Sequence, residues 1–545
     1  MSITPDPETS SRQRGVVEAL RSQDIARAIV LARDALAAGC ETTLFLNLHA
    51  HGHEIEGRHA EALADLQRAH ALDPKDIPIL NALGLALARD HRAREAMTMF
   101  DEAIALAPGF APAHFNKGWV SEDAGELDAA RRCYLRASEL DPACAAAPAR
   151  LAALAARQGK ADDARELATR ALAADPRHPG ARLALANADF QDGLLEPARE
   201  RLSDLIGDPI TPPFEHAEAQ GLLGDVLDAL GDAEAAFSAY EARNAAIRAL
   251  NVPRFARPVG ETMPEYLGWL TEHFERMPAW RPSPMSPDIE PRPLQHVFIL
   301  GFPRSGTTLL EAVLDRHPAV VTTQERDALA DGVRELMKSP ESLDRLMELP
   351  EADCARHRRL YWRRLAEHGI EAQGKVLIDK QPYNTVKLPL IARLFPEARI
   401  VFNLRDPRDV VLSCFRRRFR MNPSNYELLT LDGAARLYDA IMRLAVLYRA
   451  KLPLAIRDMR YEAFVDDFEA EILVLCEFIA LPWHDAMRDS AGPANRRAIV
   501  TPSAAQISQG LSKGGIGAWR RYAEELSSVL PILAPWVARL GYGAD

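Results

Sequence analysis

Residues 297–308 read VFILGFPRSGTT, and their reading decides the fold of the second half of the chain. Val297, Phe298, Ile299 and Leu300 predict a short buried strand. Gly301, Pro303, Gly306 and the pair Thr307-Thr308 then interrupt it, and the pattern over 309–315 is helical. A strand that turns through glycines into a helix N-terminus makes an anion cradle, because unpaired backbone N–H groups and aligned peptide dipoles face the same point. The Walker phosphate loop requires lysine directly after its second glycine. Here Gly301 and Gly306 keep the Walker separation, but Thr307 holds the lysine position and the positive charge sits inside the loop, at Arg304. The loop predicts a phosphate ligand and argues against an ordinary nucleotide triphosphatase.

Working outward, residues 376–378, 400–404 and 454–456 also read as short buried strands. Helical patterns over 307–316, 385–394 and 409–418 separate them. Such alternation predicts a parallel sheet with helices on both faces, a three-layer α/β domain resembling P-loop folds. Ligands of such sheets bind at the carboxyl ends of strands, where Arg304 and Arg405 fall. Within 399–413, RIVFNLRDPRDVVLS, Arg405 closes a strand, Pro407 turns the chain, Asp409 can open a helix and Ser413 follows one turn in. Arginine suits a phosphate because its planar fork donates two hydrogen bonds at once.

The first half is periodic. Pro74, Pro108, Pro142 and Pro176 recur every 34 residues. Ala62, Ala96, Ala130 and Ala164 keep the same phase, as do Gly84 with Gly118 and Phe100 with Tyr134. Small residues let two helices approach, a bulky ring fills the gap, and proline stops the second helix. This is the period of the tetratricopeptide repeat. Weaker copies extend the array to six or seven repeats over 11–245, after a flexible tail at 1–10. Residues 246–293 read as a helix near 264–277 followed by a proline-rich connector, and 294–545 as the α/β domain.

Composition bounds the rest. A net charge of −11 argues against a nucleic-acid binder. No window approaches the roughly 18 apolar residues of a membrane span, and the N-terminus lacks the apolar core of a signal peptide. Six cysteines without a C-x-x-C pair predict reduced thiols in a cytoplasmic protein and no metal site.

The loop, together with Arg405 and a serine eight residues later, resembles the sulfotransferase superfamily over roughly 294–545. That resemblance implies 3′-phosphoadenosine 5′-phosphosulfate (PAPS) as co-substrate. It places the 5′-phosphosulfate on Pro303, Arg304, Ser305, Gly306, Thr307 and Thr308, and the 3′-phosphate on Arg405 and Ser413. The run from Pro303 through Asp315, His317-Pro318 and Glu325 is most similar to tyrosylprotein sulfotransferases and their bacterial repeat-fused relatives. By that resemblance Glu325 is the catalytic base, and Arg304 and Lys380, in Asp379-Lys380-Gln381-Pro382, stabilise charge on the transferring group. Each such contact is worth about 3 kcal/mol, the scale of one oxyanion-hole donor. Tyr461 resembles the family's tyrosine beside the cofactor, and Ser503, in Thr501-Pro502-Ser503, its late serine near the leaving phosphate. Animal relatives carry a cofactor lysine before a late tryptophan. Here Ala518 precedes Trp519, leaving Lys513 or Arg520 to substitute.

His317 reads as a helix-end cap. The run Arg416-Arg417-Arg418-Phe419-Arg420 reads either as a solvated helix end or as an attractor of acidic peptide or bisphosphate. The expectation is a metal-independent PAPS-dependent sulfotransferase acting on protein tyrosine, whose repeats recruit an acceptor polypeptide or a partner protein. The alternatives are a glycan or small-molecule hydroxyl as acceptor, or a repeat scaffold with a non-catalytic nucleotide domain. The oligomeric state is not legible.

Overall fold

The computed structural model describes residues 7–255, 262–280, 292–488 and 513–543. The chain divides into two compact units, Met1–Asp192 and Gly193–Asp545.

The first unit is a stack of helical hairpins. The helices pair as Pro7–Arg21 with Ile25–Ala37, Thr43–Ile55 with His59–Leu72, Ile77–Arg89 with Ala93–Leu106, Ala111–Asp123 with Leu127–Leu140, and Ala146–Arg157 with Ala161–Ala174. The helix Pro179–Gln191 follows. The phased alanines Ala62, Ala96, Ala130 and Ala164 are buried. The phased glycine has a steric cause: a Cβ on Gly84 would lie 2.6 Å from the ring of the fully buried Phe100. The second helices of the four later hairpins end two residues before Pro74, Pro108, Pro142 and Pro176, as the pattern predicts.

The same hairpin recurs in the second unit, as Pro213–Leu230 with Ala233–Phe255. It shares a core with the sheet domain, since Ala236, Phe237 and Tyr240 belong to the cluster that contains Phe298, Leu300 and Phe402. Phe237 stacks on Phe415, with ring centroids 5.0 Å apart. The helix Met263–Arg276 forms near the expected place, and its Phe274 meets Tyr448 of the helix Leu431–Lys451 edge-on. Residues 281–291 of the proline-rich connector lie outside the described residues.

Five parallel strands form the sheet: β1 (Gln295–Gly301), β2 (Val320–Thr322), β3 (Val376–Lys380), β4 (Arg399–Leu404) and β5 (Ala455–Arg460), in the order β2-β3-β1-β4-β5. The three-residue β2 escapes the sequence pattern because it is too short to show a period and only half-buried. Side chains alternate between two cores. Val297 and Ile299 face the helix Thr307–Leu314 and the helix Phe468–Phe478. Phe298 and Leu300 face the larger core on the opposite side. Both faces are therefore covered, as a parallel sheet requires. From β1 the chain winds first toward β3 and then back to β4, so the strand order switches between β1 and β4. Their paired ends, Gly301 and Asn403, open onto the crevice where ligands of such sheets bind.

Candidate active site at the switch point

The loop after β1 is built from left-handed backbone. Gly301, Arg304 and Gly306 have φ of 153°, 70° and 97°. The Gly301 carbonyl accepts the Thr385 hydroxyl at 2.7 Å, which fixes the loop's entry. A Cβ on Gly306 would lie 2.6 Å from the ring of Tyr461, so the glycine is what admits that ring. A non-glycine residue at positive φ is strained, and such strain gathers at ligand clamps. From Gly306 the helix Thr307–Leu314 begins, its first-turn N–H groups lacking acceptors within the helix. Ser305, Thr307 and Thr308 are buried, and Ser305 Oγ has no hydrogen-bond partner.

The end of β4 closes on this loop. Arg304 Nε donates to Ser413 Oγ at 3.0 Å, and Arg405 Nη1 donates to the Arg304 carbonyl at 3.1 Å. The Arg405 guanidinium lies 4.7 Å from the centre of the Tyr461 ring, and its Nε is buried without a partner. Burial pushes the Arg304 guanidinium down to about 9, and the neighbouring Arg417 and Arg405 add to the effect. A bound anion counters the shift through its opposite charge. The structure thus brings Arg304, Ser305, Gly306, Thr307, Thr308, Arg405, Ser413 and Tyr461 together. Pro303 joins them through its carbonyl, which accepts the Cys414 thiol at 3.4 Å.

Beside the loop stands a charged triad. Lys380, at the end of β3, has no solvent exposure, and its Nζ lies 2.5 Å from Glu325 Oε1 and 3.1 Å from Glu311 Oε2. Glu325 reaches it through a turn in which Gln324 and Glu325 both have positive φ, 49° and 63°. Glu311 Oε1 accepts the N–H of Gln324 at 3.1 Å, and Thr323 Oγ1 accepts the N–H of Lys380 at 3.1 Å, pinning the turn to β3. Burial pushes Glu311 up to about 7, against the lowering effect of Lys380. Burial lowers Lys380, but Glu311 and Glu325 outweigh it and leave the ammonium raised above its ordinary value. The sequence reading missed Glu311. Its signal was one carboxylate in an otherwise apolar helix, TTLLEAVL.

Other expected residues fall elsewhere. Lys513 is exposed and pairs with Asp466 at 2.6 Å. Ser503 lies outside the described residues. His317 Nδ1 accepts the N–H of Ala319 and its ring packs on His484, as expected of a cap. The arginine run is no free basic patch through Arg418: Arg416 is largely buried, Arg417 is part-buried, and Arg418 is exposed yet paired. Arg416, Arg417 and Arg418 pair with Asp228, Asp225 and Glu218 at 2.5, 3.0 and 2.7 Å. All three carboxylates stand on the repeat helix Pro213–Leu230. Arg243 of that hairpin also donates to the carbonyls of Phe415 and Arg416, the end of the helix Pro407–Phe415 that carries Ser413. At the other end of that helix Asp409 accepts the N–H groups of Gly517 and Trp519, drawing in the late segment.

Residues 296–485 match the model of the sulfotransferase family, and 81–148, 116–179 and 155–208 match tetratricopeptide-repeat models. The chain therefore carries a sulfotransferase-family domain and tetratricopeptide repeats. It is 28% identical over 249 residues to an uncharacterized protein of Aquifex aeolicus, spanning 44% of this chain and 32% of that protein's length. It is 26% identical over 272 residues to protein-tyrosine sulfotransferase 1 of Danio rerio, covering 47% of this chain and 75% of the relative. With the Homo sapiens protein of that name the identity is 25% over 260 residues, covering 45% and 69%. A tetratricopeptide repeat protein of Parabacteroides merdae aligns with 44% of this chain and 92% of its own, at 15% identity and a TM-score of 0.35. No described helix is long and apolar enough to cross a membrane.

Proposed function

We propose that the chain is a PAPS-dependent sulfotransferase that transfers a sulfuryl group to a hydroxyl, protein tyrosine foremost, and that its repeats hold the acceptor polypeptide or a partner protein. The observation that carries this reading is the contact of Glu325 with Lys380 at 2.5 Å beside an anion-binding loop. Pure nucleotide binding has no use for a carboxylate held there on strained backbone. The tyrosine assignment is supported by the names of the relatives and by the repeats, since such arrays generally engage polypeptides.

PAPS supplies an activated sulfuryl group and a phosphate leaving group. The loop N–H groups, Arg304 and Ser305 hold the 5′ end, and Arg405 with Ser413 holds the 3′-phosphate. Lys380 grips Glu325 Oε1 and leaves Oε2 to take the proton from the acceptor hydroxyl. As the acceptor oxygen bonds to sulfur, the bond from sulfur to the phosphate oxygen breaks. Arg304 and Lys380 counter the charge that develops on that oxygen. The Lys513 and Ser503 assignments rest on resemblance alone.

The test pairs calorimetry with turnover. Adenosine 3′,5′-bisphosphate should bind wild type and Glu325→Gln with affinities within about threefold, while transfer from PAPS to an acidic tyrosine peptide falls about 100-fold or more in the variant. Equal turnover in both proteins removes Glu325 as the base. Bisphosphate binding with no transfer to any tyrosine peptide removes the tyrosine acceptor and turns the search to glycans and small hydroxyl compounds.

A further inference from the structure

The second hairpin of the first unit buries polar groups where neighbouring repeats bury hydrocarbon. His49 and His53 stand one turn apart on the helix Thr43–Ile55, and Asp65 meets them from the helix His59–Leu72. His53 and Asp65 are buried, and the His49 side chain is 21% exposed. One period of 34 residues later the same places hold Leu83, Leu87 and Met99, and three periods later Leu151, Ala155 and Leu167. Two further repeats hold mixed sets, Lys117-Ser121-Cys133 and Leu185-Asp189-Arg201, with no metal-ligating residue at all three places. In the second repeat all three are of metal-ligating type, and among the described residues this is the group of three whose candidate ligand atoms lie within 4.8 Å of one another.

A hydrogen bond accounts for only part of the trio. His49 Nδ1 lies 2.7 Å from Asp65 Oδ2, while His53 Nε2 is 3.5 Å from the same oxygen and its Nδ1 is buried without a partner. Burying polar groups in a hairpin core is unfavourable unless something satisfies them. Arg68 donates to Asp65 Oδ1 at 3.0 Å and so turns Oδ2 toward the histidines, the part an outer partner plays around a metal ligand.

We propose that His49, His53 and Asp65 bind a divalent transition-metal ion, zinc(II) foremost, which staples the second hairpin. Two imidazole nitrogens and one carboxylate oxygen are an accepted zinc donor set, with water completing the tetrahedron. Bonds of about 2.1 Å at the tetrahedral angle place ligand atoms about 3.4 Å apart. The His53 spacing of 3.5 Å already meets that, and the His49 contact opens from 2.7 Å by about 0.7 Å as the ion takes the place of its bridging proton. His49 then carries that proton on Nε2, so no proton need be released. The site lies in the first unit and its existence does not depend on sulfuryl transfer.

The experiment uses the metal-stripped full chain, titrated with zinc chloride in a calorimeter and with cobalt chloride by visible absorption. Wild type should bind one Zn²⁺ per chain, and Co²⁺ should give d–d bands without thiolate charge transfer. The triple variant His49→Leu, His53→Leu, Asp65→Met carries the third repeat's own residues and should lose the site with its far-ultraviolet circular dichroism unchanged. Asp65→Asn, which keeps shape and hydrogen bonding, should weaken Zn²⁺ binding at least tenfold and decides the matter should the triple variant not fold. Absence of a stoichiometric site in wild type, or unchanged Zn²⁺ affinity in Asp65→Asn, overturns the proposal.

Discussion

Replacing Lys380 with methionine should produce a stability loss that grows with pH. Lys380 is fully buried between Glu311, itself 6% exposed, and Glu325. Glu311 in wild type titrates at about 7, raised by burial and held down by Lys380. Without the ammonium its value rises further, so the folded variant keeps the proton to higher pH than folded wild type. Below pH 7 both folded proteins carry the proton, and Glu311 adds nothing to the difference between them. Above pH 7 the variant retains a proton that wild type releases. Each pH unit then costs the variant another tenfold in its folding equilibrium, until its own higher value is reached. By pH 9 the added loss is at most about 3 kcal/mol, two pH units at about 1.4 kcal/mol each, on top of the loss of the contact with Glu325. Six of the seven tryptophans belong to the second unit, Trp119 being the exception, so tryptophan fluorescence during urea unfolding reports chiefly on that unit. Measured at pH 6, 7, 8 and 9, the gap between variant and wild type should widen, and Lys380→Met with Glu311→Leu should remove the widening. A gap that stays constant or narrows as pH rises refutes the reasoning.

Two further substitutions test single contacts. Gly306→Ala sets a Cβ 2.6 Å from the Tyr461 ring at φ 97°, and should cost roughly 2–3 kcal/mol and weaken adenosine 3′,5′-bisphosphate at least tenfold; unchanged affinity by calorimetry would separate the loop from the ligand. Gly84→Ala gains about 1 kcal/mol of helix propensity but drives a methyl group against the buried Phe100 ring, so the first unit should lose about 1–2 kcal/mol net. Adding Phe100→Leu should restore most of that loss, and a thermal melt in which Gly84→Ala is the more stable protein contradicts the packing account.

The repeats, the loop and the strand–helix alternation were legible because each rests on local signals. A period of 34 residues repeats one packing problem with one set of small and large side chains. The turn at Gly301–Gly306 carries its backbone demands in its own composition. Arg405 and Ser413 were legible too, since a strand end and one helical turn fix their spacing. The sulfotransferase resemblance followed from those few residues.

Tertiary structure alone decided the pairings between charges. Nothing near Glu311 in sequence announces Lys380, because the contact depends on the register of β1 with β3 and on which face the helix Thr307–Leu314 covers. The arginine run shows its partners only once the repeat helix Pro213–Leu230 packs beside it, committing Arg416, Arg417 and Arg418 to Asp228, Asp225 and Glu218. Likewise His49 and His53 read as two helical histidines until the hairpin brings Asp65 across. The physical division is plain. Backbone conformation and hydrophobic period are set by neighbours along the chain, whereas a buried charge is stable only beside a partner that the fold must deliver.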